Sequence, residues 1–424
     1  MAKVTLQNVK MGYTKRKLAV DGVTLTVESG EFFVLLGPSG CGKTSLLRLI
    51  SGISKPSEGD VLFDDRSVKD VITQDRNVAM VFQNFALYPH MSVYRNIAYP
   101  LESRKMPKDE IDRKVREIAA VFGISGLLDR RPRVLSGGQR QLVAIARAMV
   151  REPAVFLLDE PFANLDAELR DVLRAQVRKA HRLMPETTFI YVTHDLREAM
   201  SISDRMAIMK DGKIMASGTA ADIYMHPPNV YAAEFLGYPK INLFPAEIFG
   251  DAWKFIVPKY GSVNPDASDS GADNPGAYNA GKCNAAGTTG KQLLFGIRPE
   301  HLVIAENSPP GTGEPETEKK SFRTGEPEAG EIKPEGIKNS FVLEIKGRFE
   351  GLARAGTGIQ VLFTVDGLSG TFSSLASENI PERTGDPIRF AVNKEFIQVF
   401  DRKSGRNISA DGYEAVVETR GGNF

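Results

Sequence analysis

The stretch Glu31-Phe32-Phe33-Val34-Leu35-Leu36-Gly37-Pro38-Ser39-Gly40-Cys41-Gly42-Lys43-Thr44-Ser45-Leu46-Leu47-Arg48-Leu49-Ile50 decides the fold. Glu31–Leu36 is a short apolar run of the length of a buried strand, and Thr44–Ile50 has helical spacing. Between them Gly37–Thr44 matches GxxxxGK[ST]. Strand, glycine loop and helix in that order is the context this motif needs. Glycines let successive backbone N–H groups converge on phosphate oxygens, and the helix adds its positive end. Gly37, Pro38, Ser39, Gly40, Cys41 and Gly42 form the cradle, Lys43 reaches the outer phosphates, and the Thr44 hydroxyl holds Mg²⁺. The loop predicts ATP binding.

Working outward, Lys3–Val9 and Gly22–Val27 alternate apolar and polar residues and read as strands. Downstream, Val155-Phe156-Leu157-Leu158-Asp159-Glu160 is an apolar strand ending in two acids. Alone, such a pair reads as a helix cap or solvated turn. Beside a phosphate loop, Asp159 is expected at Mg²⁺ and Glu160 where an attacking water can be polarised. Leu135-Ser136-Gly137-Gly138-Gln139 opens the helix Gln139–Val150, so its serine and glycines make either a helix cap or a second anion site. One nucleotide does not need two such sites from one chain. The second site therefore predicts a two-fold dimer with two ATPs at its interface. His194, in Tyr191-Val192-Thr193-His194-Asp195, ends the strand Thr188–Val192, expected beside the strand of Asp159, and is assigned to the γ-phosphate. Gln83 follows the short apolar run ending Val81-Phe82 and is a candidate for Mg²⁺ or the attacking water. His90, His181, His226 and His301 read as structural or surface residues. Helices are expected at Lys108–Phe122 and Ala167–Leu183, so strands and helices alternate over a mainly parallel sheet.

After about Gly237 the pattern changes to short β-like runs, among them Leu293–Ile297, Phe341–Ile345, Gly358–Thr364 and Pro387–Val392, which predict a small barrel or sandwich. Pro258–Gly290 and Asn307–Gly336 are polar and rich in Gly, Pro, Asn or Glu, and read as mobile loops; the last dozen or so residues read as loose. The 424 residues suggest two or three domains. A net charge of +1 argues against general affinity for nucleic acid or an anionic membrane. Two cysteines, Cys41 and Cys283, offer no disulfide framework and suit a reducing cytoplasm. No signal-peptide core and no apolar run long enough to span a bilayer is seen, so a transport role would need membrane-spanning partners.

Taken in order, these motifs resemble the nucleotide-binding subunit of an ABC transporter from about Val4 to Leu236. Leu135–Gln139 is similar to the family signature, and Gln83, Asn164–Asp166 and His194 match its Q-, D- and H-loops. The resemblance implies that Tyr13 stacks on adenine, with packing as the alternative, and that Gly37–Ser45 and Ser136–Gln139 bind nucleotide. It also implies that Thr44, Gln83 and Asp159 serve Mg²⁺, and that Glu160, His194 and Gln83 serve hydrolysis. The aromatic stretch Asn84–Asn96, with Phe85, Tyr88, Pro89, His90 and Tyr94, matches the part that receives permease helices; packing within the helical lobe is the other reading. Three departures stand out: Lys43-Thr44-Ser45 for the usual Lys-Ser-Thr, Leu142 for an arginine, and Leu196 for a glutamine.

Gly237–Asn242, Gly296–Leu302 and Ile397–Asp401 resemble the β-rich tail of carbohydrate-importer ATPases of the maltose and glycerol-phosphate kind. The expected fold is an α/β P-loop NTPase, an ABC-type nucleotide-binding domain with helical subdomain (1–236). An all-β OB-like (TOBE/MOP-type) domain (237–408) and a tail (409–424) follow it. The resemblance implies a homodimer or paralogous heterodimer, two integral-membrane permease subunits, an external solute-binding protein acting indirectly, and a place on the cytoplasmic face of the inner membrane. The solute is a sugar or relative, with glycerol phosphate, polyamine, iron or sulfate as alternatives. A non-transport ATPase acting on DNA or ribosomes is the reading from a different class.

Overall fold

The computed structural model describes residues 2–14, 17–82, 86–163, 165–249, 252–255, 292–304, 341–355, 358–366, 368–375, 380–381 and 383–409. The stretches Pro258–Gly290 and Asn307–Gly336, the final residues, Cys283, Gln83, Phe85 and Asn164 lie outside them. The chain divides into two compact units, Met1–Pro228 and Asn229–Phe424.

The first unit runs β1 (Val4–Thr14), β2 (Lys17–Val27), β3 (Phe32–Leu36), α1 (Lys43–Ser51), β4 (Glu58–Phe63), β5 (Arg66–Ser67) and β6 (Val78–Val81). It continues with α2 (Val93–Glu102), α3 (Lys108–Val121), α4 (Gly137–Met149), β7 (Val155–Asp159), α5 (Ala167–Leu183) and β8 (Thr188–Thr193). α6 (Leu196–Ile202), β9 (Arg205–Lys210), β10 (Lys213–Gly218) and α7 (Ala220–Met225) complete it. One sheet has the order β10-β9-β3-β8-β7-β6, parallel from β9 to β6, with β10 antiparallel at its edge. Every residue of β3, β7 and β8 is buried, as continuous apolar strands covered on both faces must be. Phe33, Leu35, Leu157 and Val192 share a core with Leu46, Leu47 and Ile50 of α1 and with Val4, Leu6 and Val61 of a second, antiparallel sheet, β2-β1-β4-β5.

Register fixes what emerges at the strand ends. Leu36 pairs with Thr193, Val192 with Asp159, and Leu158 with Val81. Gly37, His194 and Glu160 therefore leave neighbouring parallel strands on one edge of the sheet, where open α/β sheets hold their ligands. The expected neighbourhood of His194 and Asp159 is thus observed. α4 begins two residues before its expected start, because Ser136 rather than the glycines is its cap.

The second unit contains α8 (Val230–Phe235), β11 (Asn242–Phe249), β12 (Ala252–Phe255), β13 (Gln292–Ile297), β14 (Val303–Ile304) and β15 (Phe341–Ala355). β16 (Gly358–Thr364), β17 (Phe372–Leu375), β18 (Pro387–Asn393) and β19 (Ile397–Asp401) follow. Two antiparallel sheets, β12-β11-β13-β19 and β14-β18-β15-β16-β17, share one apolar core that includes Phe244, Phe295, Phe363, Phe372 and Phe390. Asn242 laces the sheets together: its amide donates to the carbonyls of Ile297 (3.2 Å) and Ser373 (2.8 Å) and accepts the Ser373 N–H (2.8 Å). Among the described residues this region is strands apart from short helices, as the sequence suggests.

Candidate functional site: the phosphate loop and the strand ends beside it

The loop conformation depends on two glycines. Gly42 has φ +111°, and a Cβ there would lie 2.1 Å from the Ala19 carbonyl oxygen. A Cβ on Gly37 would lie 2.4 Å from the Met209 carbonyl oxygen. A side chain at Gly42 would push the loop off β2 and one at Gly37 would push it off β9, so glycine is required at both by close approach and at Gly42 by backbone freedom as well. The buried Cys41 anchors the loop's crown: its carbonyl accepts the Gly212 N–H at 2.9 Å. Burial pushes the Cys41 thiol up, with Lys43 opposing.

Lys43 is only 4 % exposed and folds back beneath the loop. Its ammonium donates to the Gly37 (2.8 Å) and Pro38 (3.0 Å) carbonyls and sits 3.6 Å from a Glu160 carboxylate oxygen. The Thr44 hydroxyl donates to Asp159 Oδ1 at 2.9 Å. Burial holds the Asp159 carboxyl above the ordinary aspartate range; the Thr44 bond opposes this and neighbouring Glu160 adds to it. Glu160 itself has φ +44°, a strained value for a side-chain-bearing residue, and its N–H donates to the Val192 carbonyl at 3.1 Å. That turn aims the carboxylate between Lys43 and His194, whose Nδ1 lies 3.3 Å from the other oxygen.

Tyr13, Gly40, Lys43, Thr44, Asp159 and Glu160 line one cleft of about 1000 Å³. Tyr13 is 62 % exposed at its rim. Its hydroxyl lies 3.2 Å from Ser45 Oγ and 3.5 Å from an Arg48 nitrogen, so the ring is tethered at one end and open to stacking. Among the described residues no group of three or more His, Cys, Asp or Glu could hold a metal ion. The Thr44 hydroxyl and the Asp159 carboxylate are a hard oxygen pair of the kind that suits Mg²⁺.

Ser136–Gln139 does not line this cleft. Ser136 Oγ accepts the Gln139 N–H (3.2 Å) and Gln139 Oε1 accepts the Ser136 N–H (3.1 Å), a capping box at the start of α4. Within the aromatic stretch, the structure packs Tyr88 against its own lobe. That residue is half-buried, its ring 5.0 Å from Tyr99 and 5.3 Å from the Arg147 guanidinium, and buried Asn96 bonds both its N–H and its carbonyl. His90 is exposed. Beside Tyr88 runs a groove of about 630 Å³, lined among others by Ile53, Phe82, Tyr99, Arg104 and Arg151. Neither Arg104 nor Arg151 pairs with a carboxylate among the described residues, and burial beside Arg104 lowers the Arg151 pKa.

Sequence reading missed Glu198, buried on α6 and bonded to the hydroxyls of Thr193 (2.6 Å) and Tyr191 (3.1 Å). Its signal was available: an acid four residues after His194, past the Asp195 cap, returns to the strand end on a helix. Of the other histidines, buried His181 bonds the Gly30 carbonyl at 2.9 Å and His301 stacks on Phe396.

No helix among the described residues is long and apolar enough to cross a membrane. Residues 20–163 match the family model described as ABC transporter. The sn-glycerol-3-phosphate import ATP-binding protein UgpC of Bordetella avium is 42% identical over 310 residues, covering 73% of this chain and 81% of that protein. The oligosaccharides import ATP-binding protein MsmX of Bacillus subtilis is 43% identical over 314 residues, covering 72% and 81%. The trehalose/maltose import ATP-binding protein MalK of Thermococcus litoralis is 46% identical over 293 residues, covering 68% and 75%. With a phosphate loop, two strand-end acids and a histidine at one sheet edge, and relatives matched over most of their length, the chain belongs to the ABC transporter family as an import ATP-binding subunit, an ATPase coupled to transport.

Proposed function

We propose that this ATPase powers uptake of a sugar or a sugar-like solute such as a polyol phosphate. The observation that carries the hydrolytic part is the convergence of Lys43, Glu160 and His194 within 3.6 Å contacts at one sheet edge. In this reading Gly37–Ser45 wraps the phosphates and Tyr13 stacks on the base. Lys43 offsets charge on the outer phosphates, Glu160 takes a proton from the attacking water, and His194 holds the γ-phosphate. Thr44, Asp159 and Gln83 would hold Mg²⁺, which when bound supplies further charge compensation at the phosphates. The cargo class is supported by the solutes in the relatives' names: glycerol 3-phosphate, oligosaccharides, and trehalose or maltose.

Two ATPase subunits, identical or paralogous, would pair so that Ser136–Gln139 of one meets the nucleotide of the other. The helix start at Ser136 has the N–H groups for an anion, while the cleft on its own chain does not include it. The subunits would sit on the cytoplasmic face of the inner membrane against two permease subunits, with an external binding protein selecting solute. The groove beside Tyr88, apolar along Ile53, Phe82 and Tyr99 and basic at Arg104 and Arg151, fits an apolar segment carrying an acid. We assign 1–236 to the nucleotide-binding domain, 237–408 to an OB-like (TOBE/MOP-type) regulatory domain, and 409–424 to a tail.

The test is to purify the chain with its membrane partners, reconstitute the complex in vesicles, and measure ATP-dependent uptake of maltose, an oligosaccharide and glycerol 3-phosphate. Uptake of one of them with matching phosphate release is expected. ATP-dependent uptake of polyamine, iron or sulfate alone would replace the cargo assignment and keep the motor.

A further inference from the structure

Arg170 lies on α5, one turn beyond the Asp166 that caps that helix. Its guanidinium reaches in three directions. Nη2 donates to the Leu165 carbonyl at 2.9 Å, Nη1 donates to Asp195 Oδ2 at 3.4 Å, and Nε lies 3.8 Å from Glu198 Oε1. Glu198 is almost wholly buried, and its other oxygen takes the Thr193 and Tyr191 hydroxyls. Asp195 donates its N–H to Thr193 Oγ1 at 3.0 Å and caps α6 through its other oxygen. Thr193 and Asp195 are the two neighbours of His194, so the acids fix the backbone on both sides of that histidine.

The other end of the Arg170 staple leads back to Glu160. The Leu165 N–H donates to the Phe162 carbonyl (3.2 Å), and the Ala163 N–H donates to the Glu160 carbonyl (3.3 Å). One planar guanidinium therefore joins the turn that starts at Glu160 to the turn that carries His194. A buried carboxylate such as Glu198 also needs an opposite charge nearby, and Arg170 supplies it. Lysine could supply the charge but not the fork that serves several acceptors at once.

We propose that Arg170 is a positioning residue for hydrolysis: it sets the spacing between Glu160 and His194 without touching nucleotide. The proposal rests on the roles assigned to those two residues. Arg170→Lys in the full chain should lower kcat for phosphate release by about 10-fold or more while ATP affinity, titrated in EDTA, stays within about threefold. Because Arg170 acts through His194, adding Arg170→Lys to His194→Ala should cost less than about twofold more. Arg170→Met should behave the same way, and Glu198→Gln, which keeps an acceptor for Thr193 and Tyr191 but loses the charge facing Arg170, should reproduce the kcat loss if Arg170→Met does not fold. Unchanged kcat in Arg170→Lys, equal loss of affinity and kcat, or multiplicative loss in the double variant with His194→Ala itself impaired would overturn the positioning role alone. Full turnover by His194→Ala would instead remove the histidine's role, and the inference with it.

Discussion

Replacing Glu160 with glutamine removes one negative charge that the structure sets against both Lys43 and His194. The Lys43 ammonium, almost wholly buried, lies 3.6 Å from that carboxylate. At an effective dielectric of about 20 a pair at this separation attracts by about 4–5 kcal/mol. Desolvation of both groups and the 21 % exposure of Glu160 return most of it, leaving about 1–2 kcal/mol that holds Lys43 toward Glu160. ATP phosphates must win Lys43 from this partner and then lie near the same carboxylate, and both effects oppose binding. Glu160→Gln should therefore bind ATP about 5–30-fold more tightly, the affinity equivalent of that energy. Its phosphate release should fall by about 100-fold or more, the loss expected when a general base is removed. The assay is a titration of a fluorescent ATP analogue into the full chain in EDTA, followed by phosphate release with Mg²⁺ restored. Unchanged or weaker ATP affinity would falsify the competition for Lys43; undiminished turnover would remove Glu160 from the chemistry.

Asp159 yields a pH-dependent test. Its folded-state pKa is raised by burial, so the folded chain keeps that proton to higher pH than the unfolded chain, and stability falls as pH rises from the ordinary aspartate value through the raised one. Asp159→Asn, measured without nucleotide or Mg²⁺, should melt above the parent at neutral pH, with the gap closing in acid; a parent that is the more stable at neutral pH contradicts this. In the second unit, Asn242→Ala leaves the Ser373 N–H and two carbonyls without their partner in a buried site and should cost about 2–4 kcal/mol. Urea unfolding followed by the single tryptophan, Trp253 of the same unit, reads this directly, and a loss under about 0.5 kcal/mol would show that the sheets do not depend on the lacing. Arg151→Glu should reduce recovery of permease with the chain by several-fold while phosphate release by the isolated subunit stays at the parent level, because the groove is separate from the cleft. Equal recovery removes the groove as the docking face.

The parts of this fold that were legible are those in which local pattern and tertiary role coincide. β3, β7 and β8 are buried at every position and mostly apolar because both faces are covered, and each leads into a polar or glycine residue: Gly37 after β3, Asp159 at the end of β7, His194 after β8. α5 was readable to its ends because Asp166 caps it and its apolar face repeats at helical spacing. α2 was not, since Pro100 sits within it and its aromatic residues mask the period. Arg147 and Arg170 were also illegible: each donates to a backbone carbonyl chosen by packing, that of Ala86 61 positions away and that of Leu165 5 positions away. The Ser136 cap was written in the sequence as serine followed three residues later by glutamine, yet that pattern does not distinguish a cap from an anion site, because both use the same N–H groups.

That double use has a consequence for how the cleft works. The polar groups assigned to nucleotide already have partners inside the chain: Lys43 has two carbonyls and Glu160, Thr44 has Asp159, and Ser136 has Gln139. Buried Lys43 in particular needs such partners if the loop is to keep its shape. Each phosphate contact is then an exchange rather than an addition, so affinity per contact is modest. Transfer of Lys43 to the phosphates would free Glu160 from its cation and leave its contact with His194 in place. Phosphate binding and release of the carboxylate for proton transfer are on this account one event, governed by the 3.6 Å contact. The Glu160→Gln measurement therefore tests more than a catalytic group: tighter ATP binding in that variant is the signature of the exchange itself.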